Sequence, residues 1–337
     1  MTLRLLFASA LVLALAACGA NEPEAASGDT GAAASATASA DARAVETAAF
    51  QTPDRPDGFS PRLARAQVLL DRARFSPGVI DGRGGENTRQ AIEAFERAND
   101  LPADGELDAE VFARLTSADP SPAIRDVRLT EQDVAGPFAT QIPESMAGKA
   151  RLEALSYTSV EEKLAERFHM DVALLRRLNP QARFAAGEVI RVASIRAPGL
   201  PRQVARIVVD KGEKAVRAYD AEGALLAFYP ATIGSEATPT VSGTYEVRAV
   251  APEPNYTYDP SRLESAEGDE TLIVAPGPNN PVGSVWIDLS RDTYGIHGTP
   301  DPSLIGKTAS SGCVRLTNWD AEQLAEAVAP GVEVRFI

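Results

Sequence analysis

Tyr294-Gly295-Ile296-His297-Gly298-Thr299-Pro300 is followed, after residues 301–309, by Ser310-Ser311-Gly312-Cys313-Val314-Arg315-Leu316. These two stretches hold one of the two histidines and one of the two cysteines in a chain of 337 residues. Small residues precede the cysteine, so backbone can approach a bound group closely and nearby N–H groups can face a developing oxyanion. A free thiol has a pKa near ~8.5, so an adjacent imidazole is the group that would generate thiolate and later shuttle the proton. Cys313 is therefore a candidate nucleophile and His297 its base. The bland alternative is a buried, inert cysteine and an unrelated loop histidine. The surrounding pattern decides the fold. Residues 204–219 alternate around a turn at Lys211-Gly212-Glu213, and short β-rich runs follow at 225–228, 244–250, 271–274 and 284–289. A helix over 319–328 and a strand over 332–336 close the chain. Residues 202–337 thus read as a mainly β domain, not a doubly wound α/β one.

Two smaller units precede it, which makes the chain multidomain. Over 58–118, Ser60-Pro61 is an N-cap followed by proline at the first helical position. Leu63, Ala66, Leu70 and Ala73 recur at helical spacing, Thr88, Ile92 and Phe95 mark a second helix, and Asp108 caps a third with Val111, Phe112 and Leu115. Residues 119–147 read as a Pro-rich linker. Over 148–196, Val160, Leu164 and Phe168 share one helix face, and Leu174, Leu175 and Leu178 share another that stops at Asn179-Pro180. A short strand follows from Gly187 to Val192, giving a small α+β unit. His169 ends the first of these helices, where an imidazole can meet carbonyl oxygens, and reads as structural.

Charge and composition exclude several functions. The chain has 33 basic and 47 acidic side chains, a formal net charge of −14. That argues against a nucleic-acid partner held through the overall field. Two cysteines exclude a disulfide framework, two histidines leave little for a His-rich metal site, and no cofactor or metal is expected. Arg4 precedes an apolar run over residues 5–17, too short for a comfortable membrane span and laid out like a secretory signal. Residues 18–57 are rich in alanine, with 13 between Gly19 and Ala49, and read as a flexible tether.

Four resemblances follow from these residues. Leu15-Ala16-Ala17-Cys18 resembles a bacterial lipobox, which implies a lipidated Cys18, export, and a lipid-anchored place in the periplasm or cell envelope, the outer membrane included. The alternative is an ordinary signal cleaved near Ala17. Pro77-Gly78-Val79-Ile80-Asp81-Gly82, Gly85, Thr88, Ala91-Ile92, Phe95, Leu101 and Asp104-Gly105 resemble the peptidoglycan-binding three-helix domain, with Glu96 where that family often has glutamine. Residues 157–192, through Leu175, Leu178-Asn179-Pro180 and Gly187, resemble a LysM module, a βααβ binder of wall glycan. Ser159-Val160-Glu161-Glu162 replaces its usual Gly-Asp-Thr-Leu start.

The catalytic stretch resembles the L,D-transpeptidases with a YkuD domain, over most of residues 206–337. Thr238-Pro239-Thr240 with Gly243-Thr244-Tyr245, and the run Pro276-Gly277-Pro278-Asn279-Asn280-Pro281-Val282-Gly283, extend the match. Ser311 stands where the family commonly has histidine. The resemblance implies a peptidoglycan L,D-transpeptidase that takes an acyl group from a tetrapeptide stem onto Cys313, with His297 as base. It implies that the Gly298 carbonyl orients the imidazole and that N–H groups at Gly312 and Cys313, beside Ser311, hold the oxyanion. Arg315 would meet a substrate carboxylate or brace the loop, and Tyr294 and Trp319 would line the cleft or belong to the core. The expected partners are stem peptides and glycan, and a wall-attached lipoprotein is an open acceptor beside a second stem amine. A hydrolase of the same fold that cleaves the lipoprotein–wall link, and a non-catalytic wall-binding lipoprotein, are the alternatives. Residues 204–337 hold ten basic and nineteen acidic side chains, so recognition of an anionic stem must rest on local cations such as Arg315 and Lys307.

Overall fold

Val285, Ile287 and Leu289 are buried, with Trp286 and Asp288 between them only partly so, the period-two pattern of a strand with one face in a core. The computed structural model describes residues 39–195, 199–234, 240, 242–262, 268–310 and 312–337. The expected signal, Cys18, most of the expected tether, Thr238-Pro239 and Ser311 lie outside the described residues. Among the described residues, no helix is long and apolar enough to cross a membrane.

The helical part opens with α1 (Ala40–Glu46), α2 (Pro61–Arg72), α3 (Glu86–Ala98) and α4 (Ala109–Ala118). Ser60 Oγ accepts the Leu63 N–H and Asp108 accepts the Val111 N–H, so the caps read from sequence start their helices. Next come β1 (Ile124–Arg128), α5 (Glu131–Val134), α6 (Met146–Lys149), α7 (Val160–Arg167), α8 (Val172–Leu178) and β2 (Val189–Ala193). The last part holds β3 (Arg206–Asp210), β4 (Ala215–Tyr219), β5 (Leu225–Pro230), β6 (Gly243–Pro252), β7 (Tyr256–Tyr258), β8 (Leu272–Val274), β9 (Val285–Leu289), β10 (Gly295–His297), β11 (Val314–Arg315), α9 (Asn318–Ala327) and β12 (Glu333–Phe336).

Eight of these strands form one sheet in the order β11-β10-β9-β6-β12-β3-β4-β5. The pairs β10–β11 and β12–β3 are parallel and the others antiparallel. β6 pairs with β12 near its start and with β9 beyond a register shift at Val247/Ala249, and such a bulge bends a strand and increases its twist. Ala321, Leu324 and Ala327 of α9 are buried in the core with Ile207, Val209, Ile287, Ile296 and Val334.

Two stretches depart from the sequence reading. Residues 40–46, expected within the tether, form α1, with Val45 1% exposed among Phe59, Val68 and Leu174. Asp41 pairs with Arg177, and the Glu46 carboxylate accepts the Ile124 N–H. Alanine-rich composition alone does not order such a helix, but burial of its apolar face does. Residues 124–128, expected within the linker, form β1, which pairs antiparallel with β2. The strand partner of β2 therefore lies before the two helices, at a distance in sequence that a search near Tyr157 misses.

The helical unit also shares its core with the sheet. Phe228 and Ala215 are fully buried among Leu70, Ile92 and Phe95, and Phe75 stacks edge-on against Phe95. Burying each such aromatic contributes roughly 1.5–3 kcal/mol relative to exposure. Glu96, noted as a departure from its family pattern, is 1% exposed and accepts the Gly105 N–H at 2.8 Å, so it ties a loop internally.

The start of α9 joins all three parts. Ser76 Oγ donates to the Asp320 carboxylate at 2.8 Å. His169 Nδ1 lies 2.7 Å from Asp71 Oδ2, and its ring stacks on Trp319 with centroids 5.0 Å apart. His169 is thus structural, but its partners are a carboxylate and an indole, not carbonyl oxygens. Trp319, 7% exposed, belongs to this junction and does not line a cleft. Burial pushes the Asp320 carboxyl up to about 7, against the pull of Thr317, His169 and Ser76. Burial likewise pushes Glu166 up to about 7. Burial works against a charged His169, but Asp71, with Asp320 and Glu322, outweighs it and raises the imidazole pKa.

The two carboxyl groups hold protons in the folded chain that the unfolded chain has lost above about pH 4, so stability falls as pH rises toward 7. His169 has the same sign: its contribution is complete below its unfolded value near ~6.5 and is lost as pH rises through the raised folded value. The melting temperature of the full chain is expected to fall from about pH 5 to about pH 8, and Asp320→Asn to flatten the fall. A level wild-type melting temperature over that range would remove the argument.

Candidate active site

β10 is three residues long and lies between β9 and β11. His297 is opposite Trp286 on one side and Arg315 on the other. Directly paired residues point the same way, and so do alternate residues along a strand. Trp286, His297 and Arg315 therefore share a face of the sheet, and Cys313 lies two positions before Arg315, in the bend that leads into β11. Gly295 makes room for the indole: a Cβ there would sit 2.4 Å from Trp286 Cζ2. The Trp286 ring stacks on His297 with centroids 5.3 Å apart and planes 17° apart.

The imidazole is 3% exposed, and its Nδ1 lies 2.7 Å from the Gly298 carbonyl oxygen. That contact makes Nδ1 the protonated nitrogen of the neutral ring and leaves Nε2 as the acceptor. Burial, and then the Arg315 charge, push the His297 pKa down to about 4, against the Gly298 and Val282 carbonyls.

Cys313 is half-buried and unpaired, and its Sγ lies 3.4 Å from the Thr293 carbonyl oxygen. Burial pushes the thiol up, while the Gly295 N–H and Arg315 pull it down. At neutral pH both groups are therefore uncharged, which differs from the thiolate expected from sequence. The physical reason is the burial of both groups, which the Arg315 charge reinforces at His297 and only partly offsets at Cys313.

A chain of hydrogen bonds supports the cysteine loop. Ser310 Oγ donates to the Cys313 carbonyl at 2.6 Å and accepts the Gly312 N–H at 3.2 Å. Thr240 Oγ1 donates to the Gly312 carbonyl at 2.9 Å, and the Ser310 N–H donates to the Ile233 carbonyl at 2.7 Å. Gly312 has φ +119°, which side-chain-bearing residues rarely adopt, and a Cβ there would lie 3.0 Å from the Tyr294 hydroxyl. Tyr294 thus walls the loop, with Arg291 over its ring at 4.8 Å.

Arg315 is held by two backbone bonds of 2.9 Å to Thr232. Its Nε is buried without a hydrogen-bond partner, and among the described residues its guanidinium forms no ion pair. Tyr256 was not singled out from sequence, yet Cys313 and Arg315 both act on its hydroxyl, whose pKa burial raises. Only an aromatic in a three-residue strand marked it. Asn318, discussed below, was missed as well.

Comparison with known proteins gives a consistent family. Residues 204–335 match YkuD, described as "L,D-transpeptidase catalytic domain", and residues 60–115 match "Putative peptidoglycan binding domain". "Putative L,D-transpeptidase YkuD" of Bacillus licheniformis is 32% identical over 177 residues, covering 51% of this chain and 90% of that protein. The protein of the same name in Bacillus subtilis is 31% identical over 176 residues, covering 51% and 89%. "Probable L,D-transpeptidase ErfK/SrfK" of Escherichia coli is 34% identical over 140 residues, covering 39% of this chain and 43% of that protein.

The charge on Arg315 favours the thiolate and opposes the imidazolium, so Arg315→Gln is expected to raise both pKa values. The Cys313 value is read from the pH dependence of alkylation by iodoacetamide. The His297 value is read from imidazole NMR, in which His169 is the only other signal. A variant with both titrations unmoved would place the guanidinium away from the pair.

Proposed function

The chain belongs to the L,D-transpeptidase family built on the YkuD catalytic domain, and on that premise we propose that it acylates Cys313 with a peptidoglycan stem and passes the acyl group to an amine. The observation that carries this reading is the pairing of His297 with Arg315 across β10 and β11, two residues after Cys313, with the Arg315 Nε buried and without a hydrogen-bond partner among the described residues.

Sγ attacks the carbonyl carbon that joins a diamino acid to the terminal D-alanine of a tetrapeptide. His297 Nε2 takes the thiol proton as the C–S bond forms, and the Trp286 stack and the Gly298 carbonyl hold the ring in place. The Gly312 N–H is spent on Ser310 Oγ, so the donor proposed for the oxyanion is the N–H of Cys313. The C–N bond then breaks, the proton passes from Nε2 to the leaving amine, and D-alanine departs from a thioester. An amine of a second stem, or a lipoprotein lysine, attacks the thioester; its proton goes to His297 and on to the departing sulfur. Arg315 takes a stem carboxylate, an assignment favoured by its lack of an ion pair among the described residues.

The helical unit and the β1–α7–α8–β2 unit, read as LysM-like, are proposed to hold the enzyme on the wall. A lipid on Cys18 is proposed to hold it in the envelope.

Mass spectrometry of the full chain incubated with a tetrapeptide donor tests the reading. A covalent adduct on Cys313 with loss of D-alanine is expected, absent in Cys313→Ala. His297→Ala is expected to slow acylation by about 10²–10⁴-fold. Arg315→Ala is expected to raise KM more than it lowers kcat. A wild-type chain that takes no adduct from any tetrapeptide donor, while folded, would leave a wall-binding protein without catalysis.

A further inference from the structure

The residue that fixes the surroundings of His297 lies in neither catalytic stretch. Asn318, the first residue of α9, is 1% exposed. Its Oδ1 accepts the N–H of Thr299 at 3.0 Å and of Ser284 at 3.2 Å. Its Nδ2 donates to the Pro278 carbonyl at 3.2 Å and to Glu166 Oε1 at 3.1 Å. An asparagine amide has two donors and two acceptor positions, and all four are used here. Gly283 and Gly298 are both shaped around this amide, since a Cβ on either would lie 2.1 Å from Oδ1. The bonded segments flank both carbonyls that act on the imidazole: Thr299 follows Gly298, and Pro278 and Ser284 bracket Val282.

Glu166 comes from α7 of the middle unit, and Tyr157 of the same unit also donates to Glu166 Oε1 at 2.9 Å. That unit grips the segment before β9 directly as well. The Leu155 N–H donates to the Pro276 carbonyl at 2.9 Å, and the Asn279 N–H donates to the Leu155 carbonyl at 2.9 Å. Asn279 Nδ2 donates to the Ser156 carbonyl at 3.0 Å and to Glu162 Oε1 at 2.7 Å.

We propose that Asn318 is a positioning residue for His297, and that the middle unit takes part in the reaction by holding the Asn318 amide through Glu166. The inference rests on the reading of His297 as the base. Asn318 pins the turn that aims the Gly298 carbonyl at Nδ1, so it selects the tautomer whose free nitrogen is Nε2. A glycan-binding role alone would not need a polar side chain of this unit to reach the backbone around the base.

The test uses the full chain with Asn318→Ala, Asn318→Asp, Glu166→Ala and Glu166→Gln. Nitrogen-15 NMR of the two histidines reads the tautomer directly. Asn318→Ala is expected to turn the single Nδ1–H tautomer of His297 into a mixture, with His169 unchanged, and to lower kcat by about 10²-fold with little change in KM. Asn318→Asp, which keeps both acceptor positions but loses the two donors and faces Glu166 with a second carboxyl, is expected to keep only part of the tautomer preference. Glu166→Ala is expected to reproduce the Asn318→Ala effect in part, and Glu166→Gln to stay near wild type because it keeps an acceptor. If Asn318→Ala does not fold, Glu166→Ala decides. A folded variant with the wild-type tautomer and wild-type kcat overturns the proposal, whatever happens to its melting temperature. A wild type that forms no acyl-enzyme while Asn318→Ala still shifts the tautomer would overturn the transpeptidase reading and leave the positioning role standing.

Discussion

Four consecutive side chains at the start of α9 each close a contact that the rest of the molecule relies on. Thr317 caps the helix by accepting the Asp320 N–H. Asn318 ties the turn after His297, the turn before β9 and a carboxylate of the middle unit. Trp319 stacks on a histidine of that unit, and Asp320 accepts from a serine of the helical unit. The helix begins three residues after Arg315, so a short segment of backbone connects the Cys313 loop to side chains of the middle and helical units. Each of these groups is polar or aromatic and nearly buried, and such groups are costly to leave unmet. The arrangement of the three units is therefore fixed by specific partners, not by apolar area alone.

The same burial that fixes the junction sets the electrostatics of the site. Enclosing a thiol and an imidazole beside one guanidinium favours the neutral form of each, because the low-dielectric surroundings oppose the thiolate while the cation opposes the imidazolium. A neutral pair is the starting point general-base catalysis requires, with proton transfer coupled to attack and not preceding it. Arg315 then has two effects from one position. It biases both titrations, and on the proposed reading it would offer an anion partner in a domain whose ten basic side chains are outnumbered by nineteen acidic ones. In such a field the position of one guanidinium without an ion pair among the described residues would, on the proposed reading, carry more of the recognition than the net charge does.

How much of this was legible from sequence depended on where the deciding contacts lie along the chain. Strands β5, β6, β8, β9 and β12 and helix α9 lie within about two residues of their expected bounds, because alternation and caps are local signals. Cys313 and His297 stand out in the sequence through scarcity and flanking glycines, and the fold sets their segments on and beside the neighbouring strands β10 and β11. Those two strands were not legible, since two or three residues carry no period. α1 and β1 were hidden for another reason: each is ordered by partners far away in the chain, Arg177 and Ile124 for the one and β2 for the other. From sequence Trp319 is open between cleft and core because an aromatic near a strand end gives no direction, and its burial decides for the core. Asn318 reads from sequence as an ordinary residue after a threonine cap, and its four bonds exist only once β9, β10 and α7 have come together.

Separate wall-binding units on flexible linkers would raise the local concentration of substrate and leave its approach unconstrained. The described chain is built otherwise, because α1 packs on the middle unit, β5 shares a core with the helical unit, and the middle unit is bonded to the segment before β9. Surfaces held this way keep a fixed offset from Cys313, so under the proposed wall binding a strand engaged at one unit would reach Cys313 only if its stem spacing fitted that offset. Under that proposal, tethering by the units would act as a geometric filter on the donor as well as a gain in encounter rate.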